Sequence, residues 1–142
     1  MTSLSLEDVR TLLEAPSAAV LSTNRGDGTA LASPVWFRWT GRAFEVVIAR
    51  GDVKLRHLAR DPRCALVVFE TVVPFRGVEV RGEATLTSCE LSEIRSSIAG
   101  RYLGREAGER FAAERASRPG VLLQLPAGQP RVWDLARILP GS

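Results

Sequence analysis

Lysine is almost missing from this chain: of its 19 basic residues one is a lysine, Lys54, and the other eighteen are arginine. Histidine is also single, and the two cysteines, Cys64 and Cys89, stand far apart with no paired spacing. These scarcities exclude a zinc ligand set and a disulfide framework, so no metal is expected and both thiols read as reduced and buried. No apolar run is long enough to cross a bilayer. The opening "MTSLSLEDVRTLLEAP" carries Glu7 and Asp8 where a secretory leader needs an unbroken apolar segment. A cytoplasmic protein without membrane association is expected. Aromatics are few, at 6%, and 19 basic against 16 acidic residues leave a net charge of only +3. With no single-strand stacking motif, that balance argues against nucleic acid and suits a small anion better.

Catalytic motifs are missing too. The order of residues supports no Ser/His/Asp or Cys/His arrangement, no phosphate-binding P-loop, and no G-x-G-x-x-G after a strand. Glu79 and Glu83 share one face of an alternating strand and read as solvent-facing. No catalytic side chain is therefore assigned, and any activity would borrow its reactive group from a cofactor.

What is present fits one domain over residues 1–142, with 45% apolar residues to build its core. Residues 5–14 have the pattern of a short helix with Ser5 as N-cap, Leu6, Val9, Leu12 and Leu13 on one face, and Pro16 closing it. "SAAVLSTN", turn "RGDG" and "TALASPVWFRW" read as a hairpin, and "RAFEVVIA" as a third strand. A helix follows, capped by Asp52, carrying Leu55, Leu58 and Ala59, and stopped by Asp61-Pro62. "RCALVVFE" and the long "FRGVEVRGEATLT" are further strands. Residues 89–116 are helical in pattern with a break near Gly104, and "GVLLQL" and "RVWDLARI" end the chain as strands around "PAGQP". Short strands joined by tight turns, with few helices between them, imply a mainly β, mainly antiparallel barrel.

Charge is concentrated where the third strand meets its helix. In "ARGDVKLRHLARDP" and the residue that follows, Arg50, Lys54, Arg56, Arg60 and Arg63 oppose Asp52 and Asp61, an excess equal to that of the whole chain. Cations at a helix N-terminus oppose its dipole, but a phosphate there would take N–H bonds from the helix and ionic bonds from Arg50 and Lys54. The other reading is a solvated basic face offset by Asp52. His57, three residues after Lys54, is either a further phosphate contact or a packing residue. In "ALASPVWFRW", Ala30, Ala32, Pro34, Trp36 and Arg38 form one face, and Leu31, Ser33, Val35, Phe37 and Trp39 the core-facing one. The alanines leave room for a flat ring. Trp36 would then be a pocket wall and Arg38 an anchor, or Trp36 simply covers the hairpin.

These residues resemble the split β-barrel flavin and deazaflavin oxidoreductases related to pyridoxamine 5'-phosphate oxidase. The resemblance runs through "AAVLSTNRGDGTALASPVWFRW", "VVIARGDVKLRHLARDPRCALVVFE", "FRGVEVRGEATL" and "GVLLQLPAGQPRVWDLARI", almost the whole chain. The Trp133-Asp134 pair is most similar to the small actinobacterial members that use coenzyme F420. It implies a split β-barrel homodimer with the cofactor at the subunit interface. Lys54 would bind its phosphate with Arg50 alongside. Ser33, Pro34, Val35 and Trp36 would face the ring, with Val47, Ile48 and Ala49 as floor and Arg76, before Gly77, as an outlying contact. His57 stands where many members carry Asn. The Arg-Leu ending that holds substrate phosphate in pyridoxamine oxidases is missing, which argues against that activity. The function implied is hydride transfer from reduced coenzyme F420 to a small unsaturated acceptor. An FMN-dependent oxidoreductase and a non-catalytic F420 or FMN carrier are the alternatives.

Overall fold

A computed structural model describes residues 3–140. A 3-10 turn (Leu6–Val9) runs into α1 (Arg10–Glu14), and the expected face is formed, with Val9, Leu12 and Leu13 buried. Then come β1 (Ala18–Asn24), β2 (Ala30–Pro34), β3 (Arg38–Trp39) and β4 (Ala43–Ala49). Helix α2 (Val53–Arg60) leads to β5 (Arg63–Phe69), β6 (Gly77–Glu83) and β7 (Thr85–Thr87). Helices α3 (Ser92–Leu103) and α4 (Arg105–Glu114) precede β8 (Gly120–Pro126) and β9 (Arg131–Trp133).

The strands form two antiparallel sheets, β2-β1-β5-β6-β9 and β3-β4-β8-β7, so the mainly β expectation holds. Period-two alternation turns Leu21, Leu66, Val68, Val78 and Val80 of the first sheet inward, where Phe44, Val46, Leu123 and Leu125 of the second meet them. Phe37, fully buried, packs on Phe44 with ring centroids 5.9 Å apart.

Two long strands of the sequence reading are each divided between the sheets. "TALASPVWFRW" pairs with β1 as far as Pro34, and Val35 donates to the Ala19 carbonyl at 3.0 Å before the chain crosses to β4 as β3. "FRGVEVRGEATLT" likewise leaves β5 after Glu83 and joins β8 at Thr85. Apolar alternation persists through both crossings, which is why each reads as a single strand. "RVWDLARI" is also shorter than expected: Asp134 Oδ1 accepts the Ala136 N–H at 2.9 Å, starting a 3-10 turn at Ala136–Ile138. Trp133 lies across Gly77, where any Cβ would collide with its indole. Cys64 is buried as expected, but Cys89 is exposed in the segment leading to α3. Among the described residues no helix is long and apolar enough to cross a membrane.

Candidate functional site

The lone lysine sits at a turn that its sequence dictates. β4 ends at Ala49, and Gly51 adopts φ of 94°, a conformation glycine reaches without strain. Asp52 then caps α2 by accepting the Lys54 N–H at 2.9 Å, and the same carboxylate holds Lys54 Nζ at 3.0 Å. Burial works to raise the Asp52 carboxyl, but these bonds from Lys54 outweigh it and hold the group below its ordinary value. The Lys54 side chain is only 14% exposed. Arg50 does not join it: its guanidinium points to Ser88 Oγ at 3.3 Å. His57 is buried with Nδ1 2.9 Å from Thr23 Oγ1, so here the packing reading applies.

Lys54 lines a cavity of about 830 Å³, in the range of cofactor pockets. Its floor is Val47, Ile48 and Ala49 of β4, and its rim includes Pro34, Val35 and Trp36 where the chain crosses between sheets. Seven of the ten positions singled out from the sequence therefore converge. Ser33, Arg50 and Arg76 are not in the lining. Arg76 is held by Glu70, through Nε at 2.7 Å and a terminal nitrogen at 3.0 Å, and by Thr11 at 2.8 Å. Arg38, expected as an anchor, instead pairs with the buried Glu45 at 2.6 Å.

The rest of the wall comes from the two late helices, α3 and α4, and the turn after them. Arg95, Ile98, Ala99 and Tyr102 of α3 line the cavity at i, i+3, i+4 and i+7. That stripe, bearing the chain's single tyrosine, was the available signal. Phe111 and Arg115 continue the wall, and Arg118 and Pro119 complete it before β8. Trp36 stacks on Tyr102 with centroids 5.0 Å apart and planes 10° from parallel, and meets Phe111 at 5.2 Å. The Tyr102 hydroxyl accepts the Phe37 N–H at 3.3 Å and donates to the Ser17 carbonyl at 3.0 Å. Burial raises its pKa.

Four cations, Lys54, Arg95, Arg115 and Arg118, face this space against one carboxylate, Asp52. Arg95 is only 8% exposed, and it donates to the carbonyls of Arg115 and Arg118, both at 2.8 Å. No carboxylate lies within ion-pair distance of it among the described residues. A buried cation bonded only to neutral oxygens favours an anion nearby. The lining contains no histidine, cysteine or glutamate, and no cluster of metal-ligating side chains occurs among the described residues. The arrangement fits a flat ring on the β4 floor with an oxyanion at its basic edge.

The chain has relatives of known structure. A conserved hypothetical protein of Mycobacterium tuberculosis superposes with a TM-score of 0.81 at 20% identity, covering 98% of this chain and 91% of the other. A protein described as an F420 reductase gives 0.65 at 24% identity, covering 85% and 94%. A FAD-binding protein of Mesorhizobium loti gives 0.66 at 17%, covering 92% and 93%. At these identities the likeness is one of fold. No functionally curated protein matches the chain. The sequence pattern described as pyridoxamine 5'-phosphate oxidase matches residues 5–133. By that match, and by its two antiparallel sheets, the chain belongs to the pyridoxamine 5'-phosphate oxidase family, a mainly β split barrel of flavin-binding oxidoreductase type.

Proposed function

We propose that the cavity binds coenzyme F420 and that the protein is an F420-dependent reductase acting on small unsaturated organic acceptors. The observation that carries this reading is the composition of the lining: an apolar strand floor, a cationic edge, and no free acid, base or nucleophile. Bound there, the reduced coenzyme supplies a hydride, and the acceptor gains that hydride and a solvent proton as its double bond is reduced. The chain's own residues bind and orient. Val47, Ile48 and Ala49 offer a low surface to the ring, with Pro34, Val35 and Trp36 along its edge, and Lys54 holds the phosphate. The Trp36–Tyr102–Phe111 wall gives the cavity an aromatic side.

A second copy of the chain is part of this reading. Ala30, Ala32 and Pro34 point outward and exposed on β2, while Val20, Ala65 and Val67 on the same sheet are only half-buried. Such a smooth, weakly polar face suits a homodimer with the cofactor near the contact. FMN or FAD is the second reading of the cofactor, favoured by the FAD-binding relative of the same fold. Titrating the purified protein with each coenzyme, followed by absorbance and then by addition of enones or quinones, tests the assignment. One F420 per chain, with oxidation of the reduced form on addition of acceptor, is the expected result. Flavin retained at one per chain would replace the deazaflavin, and tight F420 binding with no oxidation by any acceptor would make the protein a carrier.

A further inference from the structure

The cavity's unbalanced charge is not at Lys54. That ammonium already shares the Asp52 carboxylate at 3.0 Å, whereas three arginines on the helical side have little to neutralise them. The Arg115 guanidinium lies 3.7 Å from the centroid of the Phe111 ring, and its nearest carboxylate, that of Glu114, is 3.7 Å away and largely exposed. Among the described residues the Arg118 side chain has no hydrogen-bond or ion-pair partner, and it stands exposed at the cavity lip. Beneath them, Arg95 grips the carbonyls of Arg115 and Arg118 and so fixes the turn that carries both. Its guanidinium reaches that place because residue 120 is glycine: a Cβ there would approach an Arg95 terminal nitrogen to 2.8 Å and the Ile48 carbonyl to 3.2 Å.

If the coenzyme's phosphate is at Lys54, these arginines are available for a second oxyanion. We propose that Arg115 and Arg118, held by Arg95, form a carboxylate subsite, and that the acceptor is a planar organic acid whose body lies against the Trp36–Tyr102–Phe111 wall. This rests on the ring-and-phosphate reading of the cavity. Guanidinium forks match carboxylates in two-point geometry, and an arginine already seated over an aromatic ring has less freedom left to lose.

The test is calorimetric binding of cinnamate and of cinnamamide, which differ only in the acid group, to the coenzyme-loaded and the coenzyme-free protein. Wild type is expected to bind the acid about tenfold or more tightly than the amide. Arg115→Met with Arg118→Met is expected to erase that preference while the coenzyme still binds through Lys54. Thermal melting checks that the variant is folded, and each single substitution serves in its place if the pair is not. Equal binding of acid and amide by wild type, or a preference that survives the substitutions, would overturn the subsite. A large fall in coenzyme affinity in the variant would assign the arginines to an anionic group of the coenzyme instead, overturning the substrate subsite while keeping the cofactor reading. Failure of wild type to bind any of the coenzymes would remove the cofactor reading. The acid-to-amide ratio of the free protein would then be left as a separate measure of the oxyanion site, and without a preference there the subsite falls as well.

Discussion

The cavity has two walls of different construction. The β4 floor is backbone-built: Ile48 pairs with Val121 and Ala49 with Gly120 in a continuous antiparallel ladder, and its position follows from local alternation. The helical wall is held by long-range contacts. Arg101 on α3 donates to the carbonyls of Phe37, Leu13 and Ala15, reaching back 64, 88 and 86 residues. Burial lowers its pKa, and no carboxylate accompanies it among the described residues. The strand character of the floor is thus encoded locally, although its ladder partner β8 is as distant in sequence as the anchors of the wall, whose position depends on side-chain contacts to the rest of the fold.

The largest expected break in that comparison comes from Gly108. A Cβ there would approach the Gly100 backbone nitrogen to 2.5 Å and its Cα to 2.6 Å, so α3 and α4 can close together only if residue 108 is glycine or the backbone moves. Gly108→Val is expected to cost about 3 kcal/mol, as overpacking against immobile backbone does. In hydrogen exchange α3 and α4 should lose protection while β4 and β8 keep theirs. Equal loss in the strands would mean that the two walls are one cooperative unit.

A smaller effect is expected on the floor side. Asp52→Asn keeps a good N-cap but removes the charge that competes for Lys54. Coenzyme affinity should rise by a few-fold, about 0.5–1 kcal/mol. The carboxyl's pKa is lowered in the folded protein, so its stabilising contribution is present above the ordinary carboxylate pKa and fades as pH falls through the lowered value. The variant should lack that acid-side loss in a melting series.

The least perturbing measurement is thiol labelling. Burial pushes the Cys64 thiol up to about 11, whereas Cys89 is exposed. One thiol per chain should react at pH 8 in the native protein and the second only on unfolding. Two fast thiols would show that the barrel opens as readily as the segment entering α3.

The same contrast explains what the sequence could disclose. Strand identities, the inward faces, the Asp52 cap and the floor at Val47–Ala49 all follow from alternation and capping, which act over a few residues. The crossings after Pro34 and Glu83 are invisible because the same side-chain pattern serves both sheets. Arg50, Lys54 and Arg76 are equally cationic in sequence, yet Ser88, Asp52 and Glu70 claim them separately, and which partner wins is decided by tertiary geometry. Arg95, Tyr102, Phe111 and Arg115 are harder to find, because α3 carries no clean apolar stripe and its cavity face mixes arginine and tyrosine with Ile98 and Ala99. Trp133-Asp134, prominent as a motif, serves structure within the chain, covering Gly77 and starting the last turn.

The role given to Lys54 is tested most directly by comparing each coenzyme with its phosphate-free form in wild type and in Lys54→Ala. The phosphate should strengthen binding to wild type by about 2 kcal/mol, some thirtyfold, and that advantage should vanish in the variant. An undiminished advantage in Lys54→Ala would contradict the assignment and place the phosphate elsewhere.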